Sequence, residues 1–462
     1  MLKKITSKIS AQYKKLGKDF LLMFVGNFSS KILIFLLVPF YTSCMTTEQY
    51  GIVDIITTSV SLLCPFLSLT IAEAVMRFAL EKNSDVKQVF SVGFYITIIS
   101  VLIMLLISPI ALFSSVLKPY YIYMVLYYIV SVFLLFVNQF AKGIDNVKEF
   151  SIAGILQTVV TILCNLVFLL LLQKGIEGYL LSYIIGYGIG ILYLAYTLNF
   201  RQYLLRISKV KIEYFKKMIS FSVPLIANNL AWWILNSSDK YMIQFFSGAS
   251  DVGIYSVAYK IPTIMTTITS LFSASMRISA IPNYEEEESK QFVNKTFYGY
   301  VCLLGCITSG MILCVKIFAW ILFQKDFFIA WRVSAVLLLG YMFYAIAEYI
   351  GVVFLATNKT TYILHSCATG AIINIILNII LINYIGYMGA AIATVLSYLV
   401  LLVIRIIKAR NIMNFVASIW MLLISLVLIS IEIWSILGNL IGVAALIVAV
   451  ICAINFRALI ER

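Results

Sequence analysis

Eleven ionisable side chains lie in stretches of this chain that are otherwise apolar: Lys31, Asp54, Glu73, Arg77, Asp239, Lys240, Lys260, Arg277, Lys316, Arg332 and Glu348. On insertion scales, a charge at the centre of a membrane helix costs at least roughly 2.5–3.5 kcal/mol, so such residues face one another or a polar cavity. Seven are cationic and four acidic. A cavity with that bias suits an anionic cargo carrying phosphate or carboxylate. Lys31 is mid-span with Asn27 one turn away on the same face, and Lys260 is also near mid-span; both are expected to line the cavity. Glu73 and Arg77 are four apart on one helix, which allows a local ion pair, a cavity role, or snorkelling of Arg77 to the inner interface. Asp239-Lys240 is followed by Tyr-Met-Ile-Gln-Phe-Phe, so the helix is expected to continue and hold both in the membrane. Arg277, Arg332 and Lys316 fall near span ends, where interface anchoring is expected.

Enzyme chemistry has no comparable footing. The sequence contains no glycine-rich phosphate loop, no nucleophile elbow and no His-Glu-x-x-His. Its one histidine, His365, has no metal-ligand company, and the eight cysteines are scattered without a Cys-x-x-Cys pair. Cys302 and Cys306 share a helix face but lack a His or acidic neighbour, which points to packing rather than metal binding. The sequence therefore predicts neither metal nor cofactor.

The elements that must position these residues follow from composition. Hydrophobic residues make up 62% of the 462 and charged ones only 12%, against about 25% charged in soluble domains. The apolar residues form blocks of roughly twenty, the length needed to cross a hydrocarbon core of about 30 Å as helix. Backbone groups in lipid must be satisfied internally, so the blocks are helices. Spans are expected near 20–43, 52–80, 88–113, 119–141, 151–173 and 178–199. They resume near 218–246, 251–279, 294–323, 330–356, 361–384 and 386–408, with a final pair near 414–432 and 434–456. The fold class is thus all-α integral membrane with about fourteen transmembrane helices.

Most of the 34 basic residues fall on one side of this scheme. Lys3, Lys4, Lys8, Lys14, Lys15 and Lys18 precede the first span, and Arg201, Arg206, Lys209, Lys211, Lys216 and Lys217 fill the central loop. Lys118, Lys174, Lys240 and Lys325 are the basic residues of the outside segments. Positive charge marks the cytoplasmic side, so both termini are expected there, with no cleavable leader. The net charge of +14 is explained by anionic lipid headgroups rather than nucleic acid. The Glu285–Glu288 run is read as a solvated inner loop.

The chain also echoes itself. Shifted by 202 residues, Asn27 meets Asn229 and Gly51-Ile52 meets Gly253-Ile254; Asn165 with Gly175-Ile-Glu-Gly178 likewise echoes Asn378 with Gly386-Tyr-Met-Gly389. The expected organisation is a basic segment 1–18, a six-helix bundle 19–200, a linker 201–217, a second six-helix bundle 218–408 in parallel pseudo-repeat, and an additional helix pair with tail 409–462. Pro39, Pro65, Pro109, Pro224 and Pro262 fall inside spans, where each permits a kink.

Three stretches carry a family resemblance. The first is Phe40-Tyr41-Thr42-Ser43 with Thr47-Glu48-Gln49-Tyr50-Gly51-Ile52 and Arg77-Phe78. The second is Phe221-Ser-Val-Pro224-Leu with Asn236-Ser-Ser-Asp239-Lys240, Val252-Gly253-Ile254-Tyr255 and Ala258-Tyr259-Lys260. The third is Asn378 with Gly386-Tyr-Met-Gly389-Ala390-Ala391. Together they resemble the Wzx-type O-antigen and repeat-unit flippases of the multidrug/oligosaccharidyl-lipid/polysaccharide (MOP) exporter superfamily, over roughly residues 15–410. The resemblance implies two six-helix bundles around a cavity that opens alternately to each side of a bacterial inner membrane. The implied cargo is an undecaprenyl-pyrophosphate-linked oligosaccharide, with the polymerase and chain-length machinery of the same polysaccharide as candidate partners. Asn27, Lys31, Arg77, Asn229, Lys240, Lys260 and Arg277 are then the candidate cavity residues. Asp54, Glu73, Asp239 and Glu348 are candidates for ion coupling. An ion-coupled small-molecule exporter of the same superfamily is the alternative, and a polytopic polysaccharide enzyme a more distant one. Neutralising Lys31 or Lys260 (Lys31→Gln, Lys260→Gln) is expected to abolish transport while membrane levels of the protein, read by immunoblot, stay at wild type. Joint loss of transport and protein would mean structural ion pairs instead.

Overall fold

The computed structural model describes residues 37–81, 84–280, 287–410, 412 and 416–460. The basic segment 1–18, most of the span expected at 20–43, and with it Asn27 and Lys31, lie outside the described residues. What is described is all helix. In chain order the helices are α1 (Val38–Cys44), α2 (Thr47–Leu67), α3 (Ile71–Ala79), α4 (Val86–Ile107), α5 (Tyr121–Gly143), α6 (Val147–Asn165), α7 (Gly175–Thr197) and α8 (Ile212–Phe246). They continue as α9 (Ala249–Ala258), α10 (Thr263–Ala280), α11 (Glu287–Leu313), α12 (Val315–Leu322), α13 (Trp331–Ala356), α14 (Thr360–Ala409), α15 (Val416–Leu437) and α16 (Ile441–Ile460). Among the described residues, ten helical stretches are long and apolar enough to cross a membrane, and large apolar side chains such as Leu106, Phe113, Leu171 and Trp434 stand exposed on them, as lipid-facing positions do.

The ten and the expected fourteen differ for identifiable reasons. One span lies outside the described residues. Another, 251–279, is broken between α9 and α10 at residues 259–262, where Pro262 supplies no backbone N–H. The spans expected at 361–384 and 386–408 appear as one 50-residue stretch, α14, with non-helical backbone at Ile385 and Gly386. Gly386 has φ +58°, a region open to glycine, and a Cβ on Gly389 would come within 2.3 Å of the Leu381 carbonyl oxygen. The chain folds back there, so that Gly370 on the first arm lies against Ser397 and Leu401 on the second. The last helix also falls just short of span length, its apolar part being Ile441–Asn455. The turn of that final pair comes later than expected, at Gly438–Leu440, with Asn439 at φ +61°; Glu432, expected at a span end, is inside α15.

Among the described residues, 37–45 with 52–230 form one compact unit and 46–51 with 231–460 another. In the first unit α3 packs on α4 and α5, and α7 on α5 and α6. Its core is aromatic: Phe90 of α4 meets Phe140 of α5 at 4.6 Å and Phe200 at 5.2 Å, and Phe140 meets Tyr203 at 5.1 Å. Phe200 and Tyr203 belong to the basic central segment, which is tied to α4 by hydrogen bonds. Gln88 Nε2 donates to the Lys209 carbonyl at 3.0 Å, and the Lys211 amide donates back to Gln88 Oε1 at 2.9 Å. Ser91 Oγ accepts from the Leu205 amide at 2.8 Å.

In the second unit α13 is the central helix, packed on α10, α11 and α14, while α11, α15 and α16 pack mutually. The first turn of α2 also belongs to this unit and crosses α9 at the two echoed glycines. A Cβ on Gly51 would stand 1.9 Å from the Ala249 carbonyl oxygen, and one on Gly253 would stand 1.9 Å from that of Thr47. Thr47 and Ser250 share a hydroxyl hydrogen bond of 2.8 Å beside them. Thr47/Gly51 and Ala249/Gly253 are thus small residues four apart on facing helices, the spacing that lets membrane helices touch backbone to backbone. Gly253→Ala is therefore expected to lower the thermal unfolding midpoint of the detergent-purified protein, by the ~1–3 kcal/mol typical of overpacking. Gly154→Ala on α6, whose Cβ would meet open space, should not lower it; equal midpoints for the two variants would contradict the crossing.

Candidate functional site

The first unit contains a cavity of about 460 Å³. Glu73 stands at the start of α3 because the span expected at 52–80 breaks after Leu67: Leu69 and Thr70 both take φ +54°, an unusual conformation for residues other than glycine and most of all for the β-branched Thr70, and Pro65 lies one turn earlier. The break aims Glu73 across to α5, where Gln139 Nε2 donates to its carboxylate at 2.8 Å. Lys142 donates in turn to Gln139 Oε1 at 3.3 Å. Asn138, Ser131 and Tyr127 of α5, Tyr187 of α7 and Asn229 of α8 add to the polar lining. Two residues singled out in the sequence, Glu73 and Asn229, therefore share one cavity. Arg77 does not join them. It is exposed, with its guanidinium 4.2 Å from the centre of the Phe221 ring. Asp54 is half-buried on α2.

The second unit holds a closed site around Asp239, which has no solvent exposure. Helix α8 does continue through Asp239 and Lys240, reaching Phe246. The carboxylate accepts hydrogen bonds from the hydroxyls of Tyr255, of Tyr259 at 3.1 Å and of Thr394 at 3.4 Å, and from the Lys240 backbone N–H at 3.0 Å. Tyr255 and Tyr259 are one turn apart at the end of α9, and Thr394 comes from the second arm of α14. Around them Tyr398 donates to Asn236 at 3.0 Å, and Asn374 Oδ1 accepts from Asn378 Nδ2 at 3.0 Å while meeting Ser238 Oγ at 3.3 Å. The outward atoms of the two asparagines, Asn374 Nδ2 and Asn378 Oδ1, find no hydrogen-bond partner among the described residues. A fully buried carboxylate held by three hydroxyls and one backbone N–H is a group that a proton can neutralise, and its oxygens are the ligand type that hard cations take.

Lys260 sits in the non-helical break after Tyr259, half-buried; irregular backbone at membrane depth occurs where it is covered by protein or lines a cavity. Lys240 is half-buried. Arg277 belongs to α10, and its side chain is outside the described set. Glu348, half-buried on α13, lies beside Gly351 together with the guanidinium of Arg405. Arg405, inside the span expected at 386–408 but near its end, is not among the membrane charges singled out in the sequence. It is 1% exposed and donates to Ser366 Oγ at 3.0 Å and to the Ala347 carbonyl at 2.6 Å. Of the Asp239 cage, Asn236, Tyr255 and Tyr259 stand in stretches already noted for their resemblance; Asn374 is signalled only by its four-residue spacing from Asn378, and no stretch noted for its resemblance marks Thr394 or Tyr398.

A family model described as polysaccharide biosynthesis protein matches residues 16–282. The chain belongs to that family. An uncharacterised membrane protein of Methanocaldococcus jannaschii is 23% identical over 395 residues, covering 80% of this chain and 91% of the relative. The fold is that of the MOP transporters. A lipid II flippase, MurJ, in an inward closed conformation superposes with TM-score 0.70 at 15% identity over 95% of this chain and all of that one. An inward-facing multidrug resistance MATE transporter of the MOP superfamily gives TM-score 0.70 at 12% identity, covering 82% of this chain and 94% of the other. A MOP transporter from Pyrococcus furiosus gives TM-score 0.60 at 14% identity, over 85% and 93%.

For this family member the cage predicts a graded response. Tyr255→Phe removes one donor from a buried carboxylate, a change worth about 1–3 kcal/mol, and is expected to lower the unfolding midpoint. Thr394→Val removes a longer contact and should lower it less. Midpoints unchanged in both variants would mean that the hydroxyls do not hold Asp239.

Proposed function

We propose that this protein is a flippase that moves undecaprenyl-pyrophosphate-linked oligosaccharide repeat units from the inner to the outer leaflet of a bacterial cytoplasmic membrane by alternating access. The family match carries the reading: a polysaccharide-biosynthesis model spans more than half of a chain whose fold is that of a transporter. The first unit's cavity supports it, because Asn138, Asn229, Ser131 and Glu73 offer donors and acceptors, and Tyr127 and Tyr187 offer rings, the mixture that sugar hydroxyls and faces engage. Asp239 is the coupling carboxylate in this proposal. Its oxygen cage takes up a proton or alkali cation, and the change in charge shifts the balance between inward- and outward-open states. Lys260, and Lys31 beyond the described residues, meet the pyrophosphate. The protein performs no covalent chemistry, and both termini face the cytoplasm.

The fold is shared with multidrug exporters, so the test must separate lipid-linked sugar from small molecules. In a strain lacking redundant flippases, deletion of this gene is expected to leave lipid-linked repeat units on the inner leaflet, and its expression to restore outer-leaflet exposure. Unchanged exposure, with altered resistance to cationic dyes, would transfer the assignment to small-molecule export.

A further inference from the structure

The helix pair α15–α16 contributes to neither of the two sites described above, yet it carries a carboxylate that the proposed transport scheme does not use. Glu432, on α15, has no solvent exposure. Ser309 of α11 donates to its Oε2 at 2.5 Å, and its Oε1 finds no partner among the described residues. Glu432 is not alone in this. In the seam where α11, α15 and α16 pack together, Thr308 Oγ1 and Asn455 Oδ1 are also buried without a partner, on residues 0% and 1% exposed. Asn455 Nδ2 is spent on Cys306 Sγ at 3.6 Å. Cys306 directly follows Gly305, beside which Ser425 also lies.

Unsatisfied polar atoms are rare in protein interiors because each carries a desolvation penalty. The carboxylate and amide oxygens only accept and the Thr308 hydroxyl can accept as well as donate, so what this seam lacks is a donor or a cation. Among the described residues no basic side chain supplies it. Lys316 of α12 is bonded to Asn439, at the turn about two helical turns beyond Glu432. On α13, which also packs on α11 and α15, Arg332 stacks on Trp331, Tyr349 donates to the Val293 carbonyl, and Glu348 stands beside Gly351 with Arg405. Lys295 of α11 and Arg457 of α16 are exposed, the Tyr300 hydroxyl donates to Thr269, and the thiols of Cys306 and Cys452 interact with each other.

We propose that Glu432 is a second cation site, separate from Asp239, at which a proton or an alkali cation binds in the α11–α15–α16 seam and fastens the C-terminal helix pair to the second unit. A bound cation supplies the charge that Glu432 Oε1 lacks, with Ser309 as the neighbouring oxygen. The consequence is a cation-dependent attachment of α15–α16, independent of the cargo. It stands whether the cargo is a lipid-linked sugar or a small molecule, because it rests on the seam alone.

The test uses the full-length protein in nanodiscs. Thermal unfolding is followed at acid and alkaline pH, with sodium chloride or N-methyl-D-glucamine chloride at equal ionic strength. Wild type is expected to gain several degrees from acid, from sodium at alkaline pH, or from both. Glu432→Gln should lose that gain, and Asp239→Asn should keep the part that belongs to this seam. A gain from acid alone identifies a proton site, and a gain from sodium at alkaline pH an alkali site. The same gain in Glu432→Gln as in wild type overturns the proposal. Should that variant fail to fold, wild type is treated with dicyclohexylcarbodiimide and the adducts are mapped by mass spectrometry. Labelling at Glu432 that sodium or alkaline pH suppresses supports the site; an unlabelled Glu432, or labelling indifferent to both, overturns it.

Discussion

A hydrocarbon interior offers no water to a polar group, so every buried donor, acceptor and charge must be met by the protein itself. The arrangement around Asp239 follows from that constraint. A buried carboxylate in α8 is tolerable only if hydroxyls are brought to it, and two helices are shaped to do so. Helix α9 ends at Ala258, just before Pro262, delivering Tyr255 and Tyr259 from its final turns. Helix α14 folds back at Gly386, which turns Thr394 and Tyr398 toward the residues that α8 presents. The breaks in the helices and the buried charge are therefore two aspects of one solution.

The two units solve the same problem differently. In the first, Glu73 is half-buried, takes its hydrogen bond from Gln139 and borders an open cavity. In the second, Asp239 is fully enclosed. That contrast fits a division of labour in which the open carboxylate belongs to cargo and the closed one to a small cation. Arg405 obeys the same rule with the opposite sign, its guanidinium spent on a hydroxyl and a helix carbonyl.

Much of this was legible in the sequence, for physical reasons. Apolar runs of span length force helices, so every span expected from 52–80 onward corresponds to an observed helix or broken pair. The family resemblance read from the runs around Tyr50-Gly51, Asp239-Lys240 and Gly386 agrees with the family match and the fold. The Gly51/Gly253 echo marked a real close approach, because a Cβ at either position would stand 1.9 Å from a facing carbonyl oxygen and only glycine lacks one. Side-chain direction was less readable. Nothing local tells that Arg77 rests on Phe221 while Glu73 turns to Gln139, since the i, i+4 spacing allows either. Glu432 and Arg405 escaped notice because each stands near an apparent end of an apolar run. Their depth is set by where the next turn falls and by which helices pack over them.

The central claim is that a cation-linked carboxylate drives movement of a lipid-linked sugar. It is tested most directly in proteoliposomes carrying the purified protein and an undecaprenyl-pyrophosphate-linked oligosaccharide. Translocation is measured with and without an imposed proton or sodium gradient, for wild type and Asp239→Asn. The account predicts gradient-stimulated translocation by wild type and its loss in Asp239→Asn that remains folded. Translocation by wild type no faster than in protein-free vesicles, under either gradient, would contradict it.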